Sequence, residues 1–222
     1  MDQLSLTLVT DRTQTAGRDL VTIVSECLAV GLPAVQVREK DLSAKDLAVL
    51  CRQLRNLTRD TGALLIVNDR VDVALAVGAD AVQRTSTSID VRDMRDIAAR
   101  NLRIGASVHS LEEALDAEAK GADWVVFGPV YDTPSKRAYG EPQGLERLAE
   151  VARRLKIPVL AIGGITPERV HEVTAVGARG VGVISGIMAA EWPSEATQLY
   201  LKALGGRGRL TPRRLRKKSS TS

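Results

Sequence analysis

Leu64-Leu65-Ile66-Val67-Asn68-Asp69-Arg70-Val71-Asp72-Val73-Ala74-Leu75-Ala76-Val77-Gly78-Ala79-Asp80-Ala81-Val82-Gln83 packs a strand, a polar exit, a helix, a stop and the next strand into one short stretch. Its first residues are apolar without polar alternation, as in a strand buried on both faces. The run ends abruptly at Asn68-Asp69. Gly78 stands just before the second strand, where a left-handed residue ends a helix.

The same unit recurs in both directions. Strands are predicted at 5–10, 34–38, 64–68, 81–83, 104–108, 124–127, 159–162 and 180–184. Gly31, Gly62, Gly121 and Gly177 repeat the position of Gly78, and further joints fall near Asn101 and Lys156. Ser43 before Asp46, and Ser110 before Glu113, have capping-box spacing. Thr166-Pro167 sets a cap before a proline at a first helical position. Leu47, Leu50, Leu54 and Leu57 mark an apolar face within a helix at 43–60. Eight strands, each followed by a helix, describe a single α/β domain, a (βα)8 TIM barrel over residues 1–204. The alternative, an open doubly wound sheet, wants a Gly-rich turn after the first strand. Thr10-Asp11-Arg12 is not one.

Composition agrees. A chain of 222 residues with 44% hydrophobic and only 3% aromatic residues must build its core from Val, Ile, Leu and Ala. A globule of this size buries roughly 70% of its unfolded surface and needs no staples. Cys27 and Cys51 lack metal or redox spacing and read as reduced thiols. No apolar run reaches the ~18 residues of a membrane span, and no signal-peptide layout opens the chain, so a cytoplasmic location is expected. The net charge of +4 is local in origin: residues 205–222 hold seven cations and no acid, leaving 24 basic against 27 acidic residues elsewhere. This basic tail is expected to be disordered and solvated; contact with an anionic partner such as RNA is the lesser reading. Small molecules, not nucleic acid, are the expected partners. Whether copies associate as a homo-oligomer is not legible.

In such barrels the site lies where strands end. Gln36, Arg38 and, if the extension persists, Lys40 share one face of the second strand. An amide and two cations there form an anion clamp, unless Glu39 and Asp41 absorb them in a surface ion-pair ladder. Asp69 suits Mg²⁺, which takes one or two carboxylates plus substrate phosphate; helix capping is the alternative. Ser107 leaves the fifth strand. The loop 128–143 is long enough to suggest a function, and its Thr133, Ser135 and Lys136 can hold a phosphate. Ile162-Gly163-Gly164-Ile165 and Val183-Ile184-Ser185-Gly186 end the last two strands, a common barrel phosphate site. His109 and His171 carry little weight.

Together, Leu8-Val9-Thr10-Asp11, Gln36-x-Arg38-x-Lys40, Asn68-Asp69, Ser107, Thr133-x-Ser135-Lys136, Gly163-Gly164 and Ile184-Ser185 resemble the thiamine-phosphate synthase family over about residues 4–204. The resemblance implies that hydroxymethylpyrimidine diphosphate loses pyrophosphate while the thiazole phosphate nitrogen attacks its methylene carbon. It implies that Gln36, Arg38, Lys40, Asn68, Ser107 and Lys136 contact the pyrimidine diphosphate, with Arg38, Lys40 and Lys136 catalytic. Asp69 binds Mg²⁺ in this reading, while Thr133, Ser135, Gly164, Ile184 and Ser185 hold the thiazole phosphate. Residues 83–88 differ from the family, with Ser88 where a second metal-binding acid is usual and Asp90 as the nearest carboxylate. That segment resembles the related thiazole tautomerases, so a relative binding thiazole phosphate alone is the second reading. Tautomerases, however, carry a His where Pro129 stands and tend to lack the Asn-Asp pair.

Overall fold

Strand, loop and helix alternate through the chain, and the turn after each of the first seven units leads into the next strand. A computed structural model describes residues 3–98, 101–133 and 141–205. The elements are β1 (Leu6–Val9), α1 (Leu20–Ala29), β2 (Ala34–Val37), α2 (Ala44–Thr61), β3 (Leu64–Asn68), α3 (Val71–Val77), β4 (Ala81–Arg84) and α4 (Val91–Ala98). They continue with β5 (Arg103–Val108), α5 (Leu111–Ala119), β6 (Trp124–Phe127), α6 (Gly144–Arg154), β7 (Val159–Ile162), α7 (Val170–Ala175), β8 (Gly180–Val183), α8 (Ser185–Met188) and α9 (Pro193–Ala203).

The strands close into a parallel barrel in chain order, β8 returning to β1 through Leu6↔Val181 and Leu8↔Val183. The expected (βα)8 barrel is therefore the fold. Alternation along each strand divides the core in two. Leu6, Leu8, Val35, Val37, Leu65 and Val67 face the helices, in the larger apolar cluster. Ala34, Leu64, Ile66, Ala81, Trp124 and Leu160 fill the barrel itself. Both cysteines are buried in the outer cluster, where removal from water pushes their thiols up, to about 11 for Cys27 and about 12 for Cys51.

The five predicted stop glycines, Gly31, Gly62, Gly78, Gly121 and Gly177, all have positive φ. Ser43 and Ser110 accept the N–H groups of Asp46 and Glu113 as caps. Thr166 does stand at a cap position with Pro167 first after it, but the helix it opens is the 3-10 segment Pro167–Arg169, its side chain caps no backbone N–H, and α7 starts only at Val170. The buried stripe of α2 is Leu47, Cys51, Leu54 and Thr58, with Leu50 and Leu57 packed at its margin. No described helix is long and apolar enough to cross a membrane. Nearly all of the basic tail lies outside the described residues.

Candidate active site

Every strand points the same way, so all strand exits gather at one rim. Arg38 and Gly164, which follow β2 and β7, therefore stand at the same end of the molecule.

Amide side chains facing into the barrel form the floor near this rim. Gln36 and Asn68 are buried, and Gln36 Nε2 donates to Asn68 Oδ1 over 3.1 Å. That bond commits the Asn68 oxygen and leaves its NH₂ to donate elsewhere. Beside them, Gln83 Nε2 donates to Ser107 Oγ over 3.0 Å. Gln83 is buried, and its other amide atom, Oε1, has no partner among the described residues. Gly105 makes room for it: a Cβ there would lie 2.2 Å from Gln83 Oε1 and 2.3 Å from the Trp124 ring.

Beyond this floor the chain runs on from β2 into Arg38, Glu39 and Lys40. Extension stops at Val37, so Lys40 does not share a strand face with Gln36; it is exposed in the turn that follows. Even so, Lys40 and Asp69 line one cleft of about 330 Å³. Glu39 and Asp41 do not absorb the two cations. The Glu39 carboxylate is buried, accepting the Thr10 hydroxyl over 2.7 Å and the Arg12 N–H over 3.2 Å. Arg12 also pairs with Asp41. No ion pair engages Arg38 or Lys40 among the described residues. Partial burial of Asp11 opposes its ionisation, but the Thr13 hydroxyl, the Gln14 amide, the Thr13 N–H and the charge of Arg38 together hold its carboxyl below the usual range.

Asp69 directly follows β3, with φ 67, the left-handed conformation that Asp tolerates better than most residues. Its N–H donates to Gln83 O over 2.9 Å, and Ser88 donates its hydroxyl hydrogen to Oδ1. Asp90 is occupied elsewhere: Oδ2 meets Lys120 at 2.9 Å and Oδ1 accepts from Arg92 N at 3.0 Å. The Lys120 hydrogen bond keeps its carboxyl low. Among the described residues no three His, Cys, Asp or Glu side chains cluster as a metal cage. One carboxylate beside a cationic clamp still fits Mg²⁺, which draws its other ligands from water and substrate phosphates.

Across the rim, Gly163 and Gly164 both have positive φ, 98 and 65. At Gly164 a Cβ would lie 2.8 Å from Tyr131 Cβ and 2.9 Å from Asp132 O. The turn is also held from outside. Arg169 stacks 4.4 Å from the Tyr131 ring centroid and donates to Gly164 O over 3.0 Å. Burial and the neighbouring Glu172 carboxylate push the Tyr131 phenol up to about 12. Ile184 and Ser185 lead into α8, whose first N–H groups have no partner within the helix. Thr133 is half-buried, and its Oγ1 has no partner among the described residues. Ser135 and Lys136 lie outside the described residues.

Residues 6–187 match the family model described as thiamine monophosphate synthase. The chain belongs to the thiamine monophosphate synthase family. It is 44% identical over 191 residues to the thiamine-phosphate synthase of Roseiflexus sp., covering 86% of this chain and 81% of that one. With the thiamine-phosphate synthase of Pyrococcus horikoshii it shares 41% identity over 197 residues, covering 89% and 93%. The solved thiamine phosphate pyrophosphorylase of Pyrococcus furiosus superposes with a TM-score of 0.85 at 42% identity, covering 92% and 96%. A 3-hexulose-6-phosphate synthase at 16% identity and TM-score 0.66 shares the fold alone.

Within this member of the thiamine monophosphate synthase family, the rim gathers Gln36, Arg38, Lys40, Asn68, Asp69 and Ser107 on one side and Gly164, Ile184 and Ser185 on the other. Sequence reading gives no role to Gln83 or Tyr200, and casts Glu39 only as an ion-pair partner and Ser88 only as the replacement of an acid. Tyr200, buried in α9, donates to Ile165 O over 2.9 Å beneath the Gly163-Gly164 turn. Burial pushes its phenol up to about 12. Period-two alternation already put Glu39 on the face opposite Arg38, beside the outward Thr10 of the adjoining strand. That was the available signal. Tyr200 gave none, because its partner is a backbone carbonyl far away in sequence.

Proposed function

We propose that this chain joins hydroxymethylpyrimidine diphosphate to thiazole phosphate, releasing pyrophosphate and forming thiamine phosphate. In this reading the C–O bond between the pyrimidine methylene and the diphosphate breaks. The thiazole nitrogen supplies its lone pair to the methylene carbon, and the electrons of the broken bond leave with pyrophosphate. The reading rests on family membership, and one observation carries it locally: Lys40, Asn68 and Asp69 line a single cleft, and Asn68 is hydrogen-bonded to the buried Gln36.

The residues act by binding and by charge. Asn68, its oxygen committed to Gln36, turns its NH₂ towards a ligand. Arg38 offers a planar fork and Lys40 a point charge to the diphosphate, whose leaving oxygen gains charge as the bond lengthens. A preorganised donor at developing charge is worth about 3–4 kcal/mol. Bound through Asp69, Mg²⁺ supplies further neutralisation of the leaving group. Gly164, Ile184 and Ser185 bind the thiazole phosphate through backbone N–H groups, joined by Thr133 and, in this proposal, Ser135; Lys136 completes the diphosphate contacts. No general base is required, since the attacking nitrogen already carries a lone pair. Phosphorylated small-molecule partners, a cytoplasmic location and Mg²⁺ as cofactor belong to the same proposal.

The test is direct. Both phosphorylated precursors and Mg²⁺ are mixed with the protein, and thiamine phosphate is sought by mass spectrometry. Failure to form it, with both precursors shown to bind, overturns the reading. Arg38→Ala is expected to lower turnover at least about tenfold. The tautomerase-like alternative predicts no Mg²⁺-dependent binding of pyrophosphate, so calorimetry separates the two.

A further inference from the structure

Ser88 is the least expected contact of the Asp69 carboxylate. It lies in the turn after β4, a different rim segment from Asp69. Its hydroxyl accepts the Thr85 N–H at 2.8 Å, lies 3.0 Å from Thr85 Oγ1, and donates to Asp69 Oδ1. A serine hydroxyl has a single donor, and Ser88 gives it to Asp69. The Ser88 N–H closes the turn by donating to Thr85 O over 3.1 Å. The backbone joins the same two segments, through Asp69 N–H to Gln83 O at 2.9 Å. The Asp69 carboxylate is thereby held through one oxygen, while the other has no such bond among the described residues. Thr85 and Thr87 line the same cleft as Lys40 and Asp69. Asp90 stays with Lys120 and adds no second carboxylate.

We propose that Ser88 is a positioning residue: by holding Oδ1 it presents Asp69 Oδ2 to the cleft as a one-oxygen cation site that a ligand's diphosphate must complete. The inference rests on Asp69 being the metal ligand of the proposed reaction. Its consequence is a strict coupling. One carboxylate oxygen competes poorly with the hydration shell of Mg²⁺, so cation and diphosphate bind well only together. The Ser88 hydroxyl then sets how much Mg²⁺ that joint binding needs, with little influence on diphosphate binding in its absence.

Calorimetric titration of the full chain with inorganic pyrophosphate, across a Mg²⁺ series, tests this. Wild type is expected to bind pyrophosphate more tightly as Mg²⁺ rises. Ser88→Ala is expected to raise the Mg²⁺ concentration for half-maximal tightening about three- to tenfold, since a hydrogen bond to a charged group is lost. Metal-free pyrophosphate affinity should stay unchanged. Ser88→Thr and Ser88→Val are nearly equal in size and differ in the hydroxyl, so Thr should restore the wild-type Mg²⁺ requirement and Val should not. Equal Mg²⁺ requirements for the Thr and Val variants overturn the proposal. So does an equal loss of metal-free and metal-dependent affinity in Ser88→Ala, which would mark a structural role only. If wild type and Asp69→Asn show the same Mg²⁺ dependence, the reading of Asp69 itself has failed, a result distinct from failure at Ser88 alone.

Discussion

The hydroxyl of Thr10 donates to the buried carboxylate of Glu39 over 2.7 Å and accepts the backbone N–H of Arg38 over 3.0 Å. A single side chain at the end of β1 thus holds both the backbone of the clamp and the acid between its two cations.

Removing that acid makes two explanations predict opposite signs. If Glu39 were only a countercharge, Glu39→Ala would strengthen anion binding. As an anchor, its loss leaves the Thr10 hydroxyl and the Arg12 N–H without their acceptor, a cost of about 1–3 kcal/mol. The expected outcome is a lower melting temperature and weaker pyrophosphate binding, read by thermal denaturation and calorimetry.

Asp69→Asn and Asp69→Ala should part company. Asn adopts the left-handed conformation that Asp69 holds, whereas Ala bears the steric cost of about 1–2 kcal/mol. Chemical denaturation should therefore find the Asn variant near wild type and the Ala variant less stable. Both should lose Mg²⁺-dependent pyrophosphate binding.

Tyr200 reaches Ile165 O from below, and a Cβ at Gly186 would lie 2.3 Å from its hydroxyl. One phenol therefore touches both turns assigned to the thiazole phosphate. Tyr200→Phe leaves a buried carbonyl unsatisfied, at about 1–3 kcal/mol. It is expected to raise KM for thiazole phosphate while leaving KM for the pyrimidine diphosphate unchanged; steady-state kinetics with each substrate varied in turn will read the split.

The opposite end of the barrel serves as a control. Asp80 Oδ2 accepts the Leu65 N–H at 2.8 Å and meets Arg55 at 2.6 Å. This pair precedes β4 rather than following it, on the face of such barrels associated with stability rather than chemistry. Asp80→Ala should cost about 1–3 kcal/mol in chemical denaturation with kcat/KM unchanged at a temperature where the variant is folded. A large loss of kcat/KM would contradict the separation of the two ends.

Much of the candidate site is legible in the sequence, because strand alternation and chain order carry local information. Gln36 and Arg38 follow from period two, Asp69 from the abrupt end of an apolar strand, and Gly164 from a doubled glycine after β7. Lys40 was assigned to the site through the wrong geometry. Extension stops at Val37, so Lys40 comes to the cleft through a turn. Thr166-Pro167 marks a helix start as the sequence suggests, but the helix is a 3-10 segment that Thr166 caps by position and not through its side chain.

The repeated strand, helix and glycine stop determined by themselves that this chain closes into a (βα)8 barrel, since each signal acts between residues a few positions apart. Tertiary structure alone decided what the rim acids do. Glu39 is spoken for by Thr10 and Arg12, Asp90 by Lys120, and Asp69 by Ser88. The reason is physical: a carboxylate is claimed by whichever donors the closed barrel brings within about 3 Å, and those donors come from neighbouring rim segments whose distance in sequence carries no sign of contact.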